Sequence, residues 1–307
     1  MDLLLKLKYS FVVGILFVSS FIQAQSSLES FLTPSDSINK PRQSGVYIGE
    51  SVALGATLIG LNQIWYKDYP QSNFHFFNDN DQWLQIDKVG HLYSSYHLGR
   101  AGAELLQWSG ASQKEQLLYG ASVGFAFLTV VEVFDGFSQE WGASTGDIIA
   151  NATGTTLYVS QELLWKEQRI TPKFSFHQTK FAKQRPETLG KSLNEQLLKD
   201  YNGQTYWLSF NIHSFTKDSL IPKWLNLAIG YGGENMLYGS RSEALQNGIF
   251  QQEYRQFYLS LDIDLTKIAT KSHFMKTIFS VFNTIKIPAP TLQYNDYNGL
   301  KAHFIYF

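Results

Sequence analysis

Residues 83–108 read WLQIDKVGHLYSSYHLGRAGAELLQW, and their reading decides the fold of the first half of the chain. Apolar and small residues recur at helical spacing and Gly110 follows, so a helix is predicted over 83–108. Within it, Asp87-Lys88-Val89-Gly90-His91 sets a carboxylate and an imidazole four residues apart, on one helix face. Two later stretches repeat the device. Glu132 and Asp135 stand three apart at the end of an apolar helix that opens at a Ser112/Glu115 capping box and runs to about residue 134. Asp147 and Asn151 stand four apart on a helix opened by Ser144 and running to about residue 167. Short loops join the three helices, so they are expected to pack as antiparallel neighbours with their polar pairs turned into one space.

Upstream, an apolar helix is predicted over 46–65. Its small residues Gly49, Ala53, Gly55 and Ala56 allow close helix approach. Glu50 and Asn62 make it an imperfect membrane span, and a buried core helix fits the pattern equally. Residues 25–45, with Pro34 and Pro41, read as a linker. Lys6 and Lys8, an apolar run over 11–22 and Ala24 read as a signal peptide over 1–24. The expected location is therefore exported: periplasmic or associated with the outer membrane. The 307 residues hold no cysteine, which excludes from them disulfides, thiolate ligands and a lipid-modified cysteine.

Downstream the period changes to two. Tyr206, Leu208, Phe210 and Ile212 alternate with Trp207, Ser209, Asn211 and His213; Phe257, Leu259, Leu261 and Ile263 alternate with Tyr258, Ser260, Asp262 and Asp264. Residues 224–232 and 300–307 are further strand candidates, and short helices are expected over 186–200 and 271–284. Four or five strands are too few for a closed single-chain barrel, which needs about eight. The expected fold is α+β: a bundle of about four helices over 46–168, then an antiparallel β-sheet region over 169–307, resting on the helices or on a membrane surface.

A net charge of −1 with 17% charged residues makes no electrostatic case for nucleic acid. The expected partners are membrane lipid or another envelope protein. Asp87, His91, Glu132, Asp135 and Asp147 are candidate ligands for a divalent metal, since oxygen-rich sites with one imidazole suit hard or borderline cations. His91, Glu132 and Asp135 are also candidate acid–base catalysts, with His91 titrating near neutral pH. Lys88, Ser144 and Asn151 are expected as structural polar partners.

Each residue also has a plainer reading. Asp87 can complement its helix dipole, Asp147 can complete a cap with Ser144, Asn151 can be a turn-facing polar group, and His91 can be a hydrogen-bonded core histidine. Glu132 and Asp135 resist this treatment. At a helix C-terminus the dipole disfavours each by ~0.3–1 kcal/mol, and burial adds a larger desolvation cost. Lys88, a protonated His91 or a metal is expected to offset them. His75 and the run Asn78-Asp79-Asn80-Asp81 could offer oxygens to calcium, but lack the glycine and distal glutamate of an EF-hand loop. There is no nucleophile elbow, P-loop or dinucleotide fingerprint, and Ser94 and Ser95 come without an oxyanion motif.

The ordered set Asp87-Lys88-x-x-His91, Glu132-x-x-Asp135-Gly136 and Asp147-x-x-x-Asn151-x-x-Gly154 resembles the YfiM-type family of periplasmic lipoproteins of unknown function and, more distantly, the VanZ-like membrane family. The resemblance covers roughly residues 66–165. It implies an envelope location and supports the cluster, without supplying a reaction. The chain departs from both families: it has no cysteine to lipidate, and Glu140-Trp141-Gly142-Ala143-Ser144 stands where VanZ-like proteins carry a basic residue, so a role in glycopeptide tolerance is not transferred. The functional expectation is an envelope protein with a buried His/carboxylate cluster, acting as a metal-dependent hydrolase on an envelope lipid or phosphate ester. The alternatives are a structural or membrane-associated protein whose cluster is an interhelical hydrogen-bond network, and an outer-membrane-associated β protein with a helical plug.

Overall fold

The computed structural model describes residues 27–67 and 69–307; the expected signal peptide lies outside the described residues. Helix α1 (Lys40–Leu61) starts earlier than the apolar pattern suggested. Asn39 caps it by accepting from the Arg42 amide, and Pro41 occupies a first-turn position where no amide hydrogen is needed. It continues into a π-turn, Asn62–Tyr66. Of α1 only Val46 is buried, against Leu106 and Ala111, while Ile48, Val52 and Ile59 are exposed. By length and composition α1 and the stretch Gln113–Gly136 could each cross a bilayer.

Helices α2 (Ile86–Trp108), α3 (Ser122–Gly136) and α4 (Thr145–Leu164) form the bundle, with α2 packed against both others. They meet backbone to backbone. A Cβ at Gly99, Gly124 or Gly154 would collide with the carbonyl oxygen of Ala121, Ser95 or Leu92 respectively. The Ser112/Glu115 capping box forms as expected, but the third helix is interrupted by a π-turn, Gln116–Gly120, before α3 proper.

The entry to α2 differs from the expectation. Trp83, Leu84 and Gln85 have φ of 48°, 51° and 61°, a left-handed turn of three non-glycine residues. L-residues lose roughly 1–2 kcal/mol each there, so outside contacts must hold it. The Trp83 amide donates to Gly239 O at 2.7 Å, Gln85 Nε2 to Asn80 O at 2.6 Å, and the Tyr231 hydroxyl to Leu84 O. The right-handed helix starts only at Ile86, which places Asp87 in its first turn.

The second half is a six-stranded antiparallel meander in sequence order: β1 (Ile170–Phe176), β2 (Gln204–Asn211), β3 (Leu225–Glu234), β4 (Tyr254–Ile263), β5 (Ala289–Asn295) and β6 (Gly299–Tyr306). Two strands more than the four candidates are present: β1 and β5 carry Pro172 and Pro290, and a proline within a run argues against a strand. Pro172 lies on the first strand of the order, where a missing donor is tolerated, and Pro290 sits at a register shift between Ala289 and Thr291. The helix expected over 186–200 is two, Pro186–Leu189 and Leu193–Lys199, and α5 (His273–Phe282) links β4 to β5.

The alternation of these strands has an unusual sense. Trp207, Ser209, Asn211, Tyr258, Ser260 and Asp262 are buried, while Leu208, Leu259 and Leu261 are exposed. The polar side is the concave side. Trp207 on β2 and Tyr306 on β6 have ring centroids 6.0 Å apart, although flat strands that far along the order would be separated by roughly 19 Å. Helix α2 covers the outer side of β1 and β2, where Tyr206 lies against Gly90 and the Tyr93 hydroxyl donates to Thr284 O at 3.2 Å.

Candidate functional site

The polar pairs of the three helices do converge, and Ser144 ties them. As N-cap of α4 its hydroxyl accepts from the Asp147 amide at 3.1 Å and donates to Asp79 Oδ1 at 2.6 Å; its own amide donates to Glu132 Oε2 at 2.9 Å. One residue thus aligns the end of α3, the start of α4 and the loop before α2. The capping role expected for Ser144 is met, while the Asp147 carboxylate turns away from the cap towards α2.

There it meets Lys88. Lys88 Nζ lies 2.7 Å from Asp79 Oδ2, 3.1 Å from both oxygens of Asp147, of which only Oδ2 is aligned for a hydrogen bond, and 3.5 Å from Asp87 Oδ2. Burial opposes the lysine's charge, but Asp87, Asp147 and Asp79 hold its pKa above the ordinary value. Burial likewise works against ionised Asp79, yet Lys88 and Ser144 keep it below the usual carboxylate range.

One turn along α2, His91 Nδ1 donates to Asn151 Oδ1 at 3.0 Å, so Asn151 faces the histidine rather than a turn. That contact aims Nε2 at Glu132 Oε1, 3.7 Å away, and Asp87 Oδ1, 3.8 Å away. Burial disfavours the imidazolium, but Asp87, Asp147 and Glu132 outweigh it and raise the His91 pKa. Glu132 is 2% exposed, and among the described residues its Oε1 has no hydrogen-bond partner. Burial pushes it up to about 8 despite His91 and the Ser144 amide. Asp147 is raised to about 7 by burial and then by Asp87. Asp135 is raised to about 6, chiefly by burial, although the Tyr66 hydroxyl donates to its Oδ1 at 2.8 Å.

Asp87, His91 and Asp147 can each bring one ligand atom within 4.8 Å of the others'. Glu132 adjoins this trio through His91, and Asp135 lines the same cavity of about 310 Å³ with its Oδ1 engaged by Tyr66. Three participants escaped the sequence reading. Asp79 belonged to an acidic, amide-rich run that pointed to calcium. Tyr66 lay at the end of a helix. Tyr201, whose hydroxyl donates to Asp87 Oδ1 at 3.0 Å, comes from the second half of the chain, where no local pattern marks it. His75 stays outside the trio: its Nε2 bonds Trp141 O at 2.7 Å and joins the loops beneath the cavity's aromatic wall.

Residues 75–162 match the model of a family described as predicted periplasmic lipoprotein (DUF2279). The match takes in α2, α3, all but the last two residues of α4 and every cluster residue except Tyr66 and Tyr201, but fewer than a third of the 307 residues. The description agrees with an exported, periplasmic location and carries neither the YfiM-type nor the VanZ-like detail of the resemblance. No curated protein and no solved structure matches the chain.

Proposed function

We propose that the cluster binds a divalent metal through Asp87, His91 and Asp147, with Glu132 beside it as an acid–base group, and that the protein hydrolyses an envelope lipid or phosphate ester. One observation carries this reading. The carboxylates of Asp79, Asp87, Glu132, Asp135 and Asp147 line one cavity with His91, Lys88 pairs with three of them, and among the described residues Glu132 Oε1 has no hydrogen-bond partner. Such a buried surplus is held either by protons or by a cation.

The histidine is disposed as a ligand: Asn151 occupies Nδ1, and Nε2 is free towards the carboxylates. Three protein ligands would leave coordination positions for water and substrate. A bound divalent cation would supply Lewis acidity and a water of lowered pKa, and would offset the repulsion between the carboxylates and a phosphate. Glu132, beside the trio, would accept the attacking water's proton as the water oxygen bonds to phosphorus or acyl carbon, and would return that proton to the ester oxygen as its bond breaks. Leu61, Trp65, Phe77 and Trp141 give the cavity an apolar wall suited to the hydrocarbon part of a lipid.

A second reading has its own support. Lys88 pairs with Asp79, Asp87 and Asp147, as an interhelical network with no reaction would require. Metal content of the full chain, purified without chelator, separates the two. Near-stoichiometric metal that is lost in Asp87→Asn and Asp147→Asn supports the site and directs a screen with lipid and phosphate esters. Folded, metal-free protein from metal-replete medium would sink the metal reading and leave the network.

A further inference from the structure

We propose that the outer face of β3, β4 and β5 sits against the acyl chains of a lipid bilayer. The claim shares no residue with the polar cluster and stands or falls apart from it.

The register makes this face continuous. Leu227 pairs with Leu261, Ile229 with Leu259, Leu259 with Leu292, and Phe257 with Tyr294, and all of these side chains are exposed. In a sheet packed in water the apolar rows face the core and the polar rows face solvent. Here the intervening rows, with Gln256, Ser260, Asp262, Thr291 and Gln293, are buried on the concave side. That side also holds a polar cavity of about 630 Å³ bordered by Glu234, Gln256, Gln293 and Asn295. Apolar outside and polar inside is the alternation of strands that face lipid.

Two features select hydrocarbon as the occupant. The first is charge. From Phe257 to Ile263 the outward positions of β4 are all apolar, and the first charged outward residue is Arg255, which pairs with Gly233 and donates from Nε to the Tyr231 hydroxyl at 3.1 Å. Tyr231 and Tyr294 flank Phe257 in the next outward row. Aromatic and basic side chains bordering an uncharged band match a membrane's polar boundary and give an ionic partner nothing to bind. The second is shape. The rings of Trp207, Tyr258 and Tyr306 touch on the concave side, with centroids 4.8–6.0 Å apart, so the apolar face is convex. Two copies of a convex face meet along a ridge, well short of the roughly 800 Å² per partner of a stable protein interface. Fluid acyl chains conform to it.

The absence of cysteine permits a direct test with the full chain. Leu259→Cys, Leu292→Cys and, as a control on the short helix Pro186–Leu189, Glu187→Cys are each labelled with a polarity-sensitive fluorophore. Each is mixed with phosphatidylethanolamine/phosphatidylglycerol vesicles, with and without a quencher on the acyl chains. Emission at positions 259 and 292 should shift to the blue and lose intensity to the quencher, while position 187 does neither. Water-like emission at 259 and 292 in protein that remains folded by circular dichroism would overturn the proposal. So would a blue shift that appears without vesicles, grows with protein concentration and resists the lipid quencher, because a second copy would then cover the face. The double variant Ile229→Glu/Leu259→Glu, labelled through Leu292→Cys, changes two exposed side chains and should lose the blue shift and the quenching at position 292 while keeping its circular dichroism; retained quenching counts against the claim.

Discussion

The bundle and the sheet both bury charge, and they do so in opposite ways. Inside the sheet, Asp262 lies 2.8 Å from Lys173 Nζ and 3.8 Å from Lys286 Nζ, with all three side chains fully buried. Each of the three side chains there is also hydrogen-bonded to its surroundings. Lys173 donates to Ile263 O, Lys286 to Leu261 O and Ile287 O, and Asp262 accepts from the Ser209 hydroxyl and the Ile287 amide. In the bundle, carboxylates outnumber cations and Glu132 Oε1 goes unbonded. A buried charge group satisfied in this way maintains a structure, whereas an unsatisfied one is a place where something else can bind. The contrast, rather than burial alone, marks the bundle cluster as the functional candidate.

The comparison can be broken most directly at Asp262. Asp262→Ala strands two buried lysines and is expected to destabilise the protein by ~3–5 kcal/mol, read as a large fall in thermal midpoint. A midpoint within a degree or two of the parent would mean that the sheet's ions are not the satisfied structural group described.

The next effect is on pH dependence. Burial raises the folded-state pKa of Glu132 to about 8, of Asp147 to about 7 and of Asp135 to about 6, above their ordinary values of 4.5, 3.8 and 3.8. Folded protein therefore holds protons that the unfolded chain has released. Their stabilisation is complete below about pH 4 and is lost as pH rises towards 8. Raised His91 works in the same sense, fully present below 6.5 and lost above it; lowered Asp79 works in the opposite sense, losing its contribution below 3.8. Chelator-treated protein should therefore lose stability steadily between pH 5 and pH 8.5, read as a falling thermal midpoint. Glu132→Gln should flatten much of that slope, and added divalent metal should do the same for the parent. A flat melting profile in chelator, with no change on adding metal, would place the bundle with the sheet as a satisfied network.

The smallest expected effect belongs to Asn151. Asn151→Ala frees His91 Nδ1 and should weaken metal binding ~10–100-fold, measured by competition with a chromogenic chelator. Unchanged affinity would remove Asn151 from the positioning of His91.

How much of this could be read in advance follows from range. Asp87 and His91, Glu132 and Asp135, and Asp147 and Asn151 are legible because helical spacing puts each pair on one face. Their convergence is legible because the connections are short. Tyr201 was invisible: only the docking of the second half brings its hydroxyl to Asp87, and no spacing encodes that. Pro172 and Pro290 concealed β1 and β5, because a proline reads as a breaker unless the strand's position in the sheet is known. The sense of the sheet was hidden for another reason. A period of two announces two faces and is silent about which one turns inward; here the polar rows do.

The left-handed turn at Trp83-Leu84-Gln85 bears on the order in which the protein is made. Besides the local contact from Gln85 to Asn80, its restraints come from Gly239 and Tyr231, more than 140 residues further along the chain. Until β3 has been synthesised and docked, nothing from the sheet holds that turn, and the residues before Asp87 are free to relax into the right-handed helix their sequence favours. Tyr201, the other restraint on Asp87, arrives equally late. A nascent chain carrying the complete bundle therefore still lacks a correctly aimed Asp87, and the cluster matures only when the last third of the protein has taken its place.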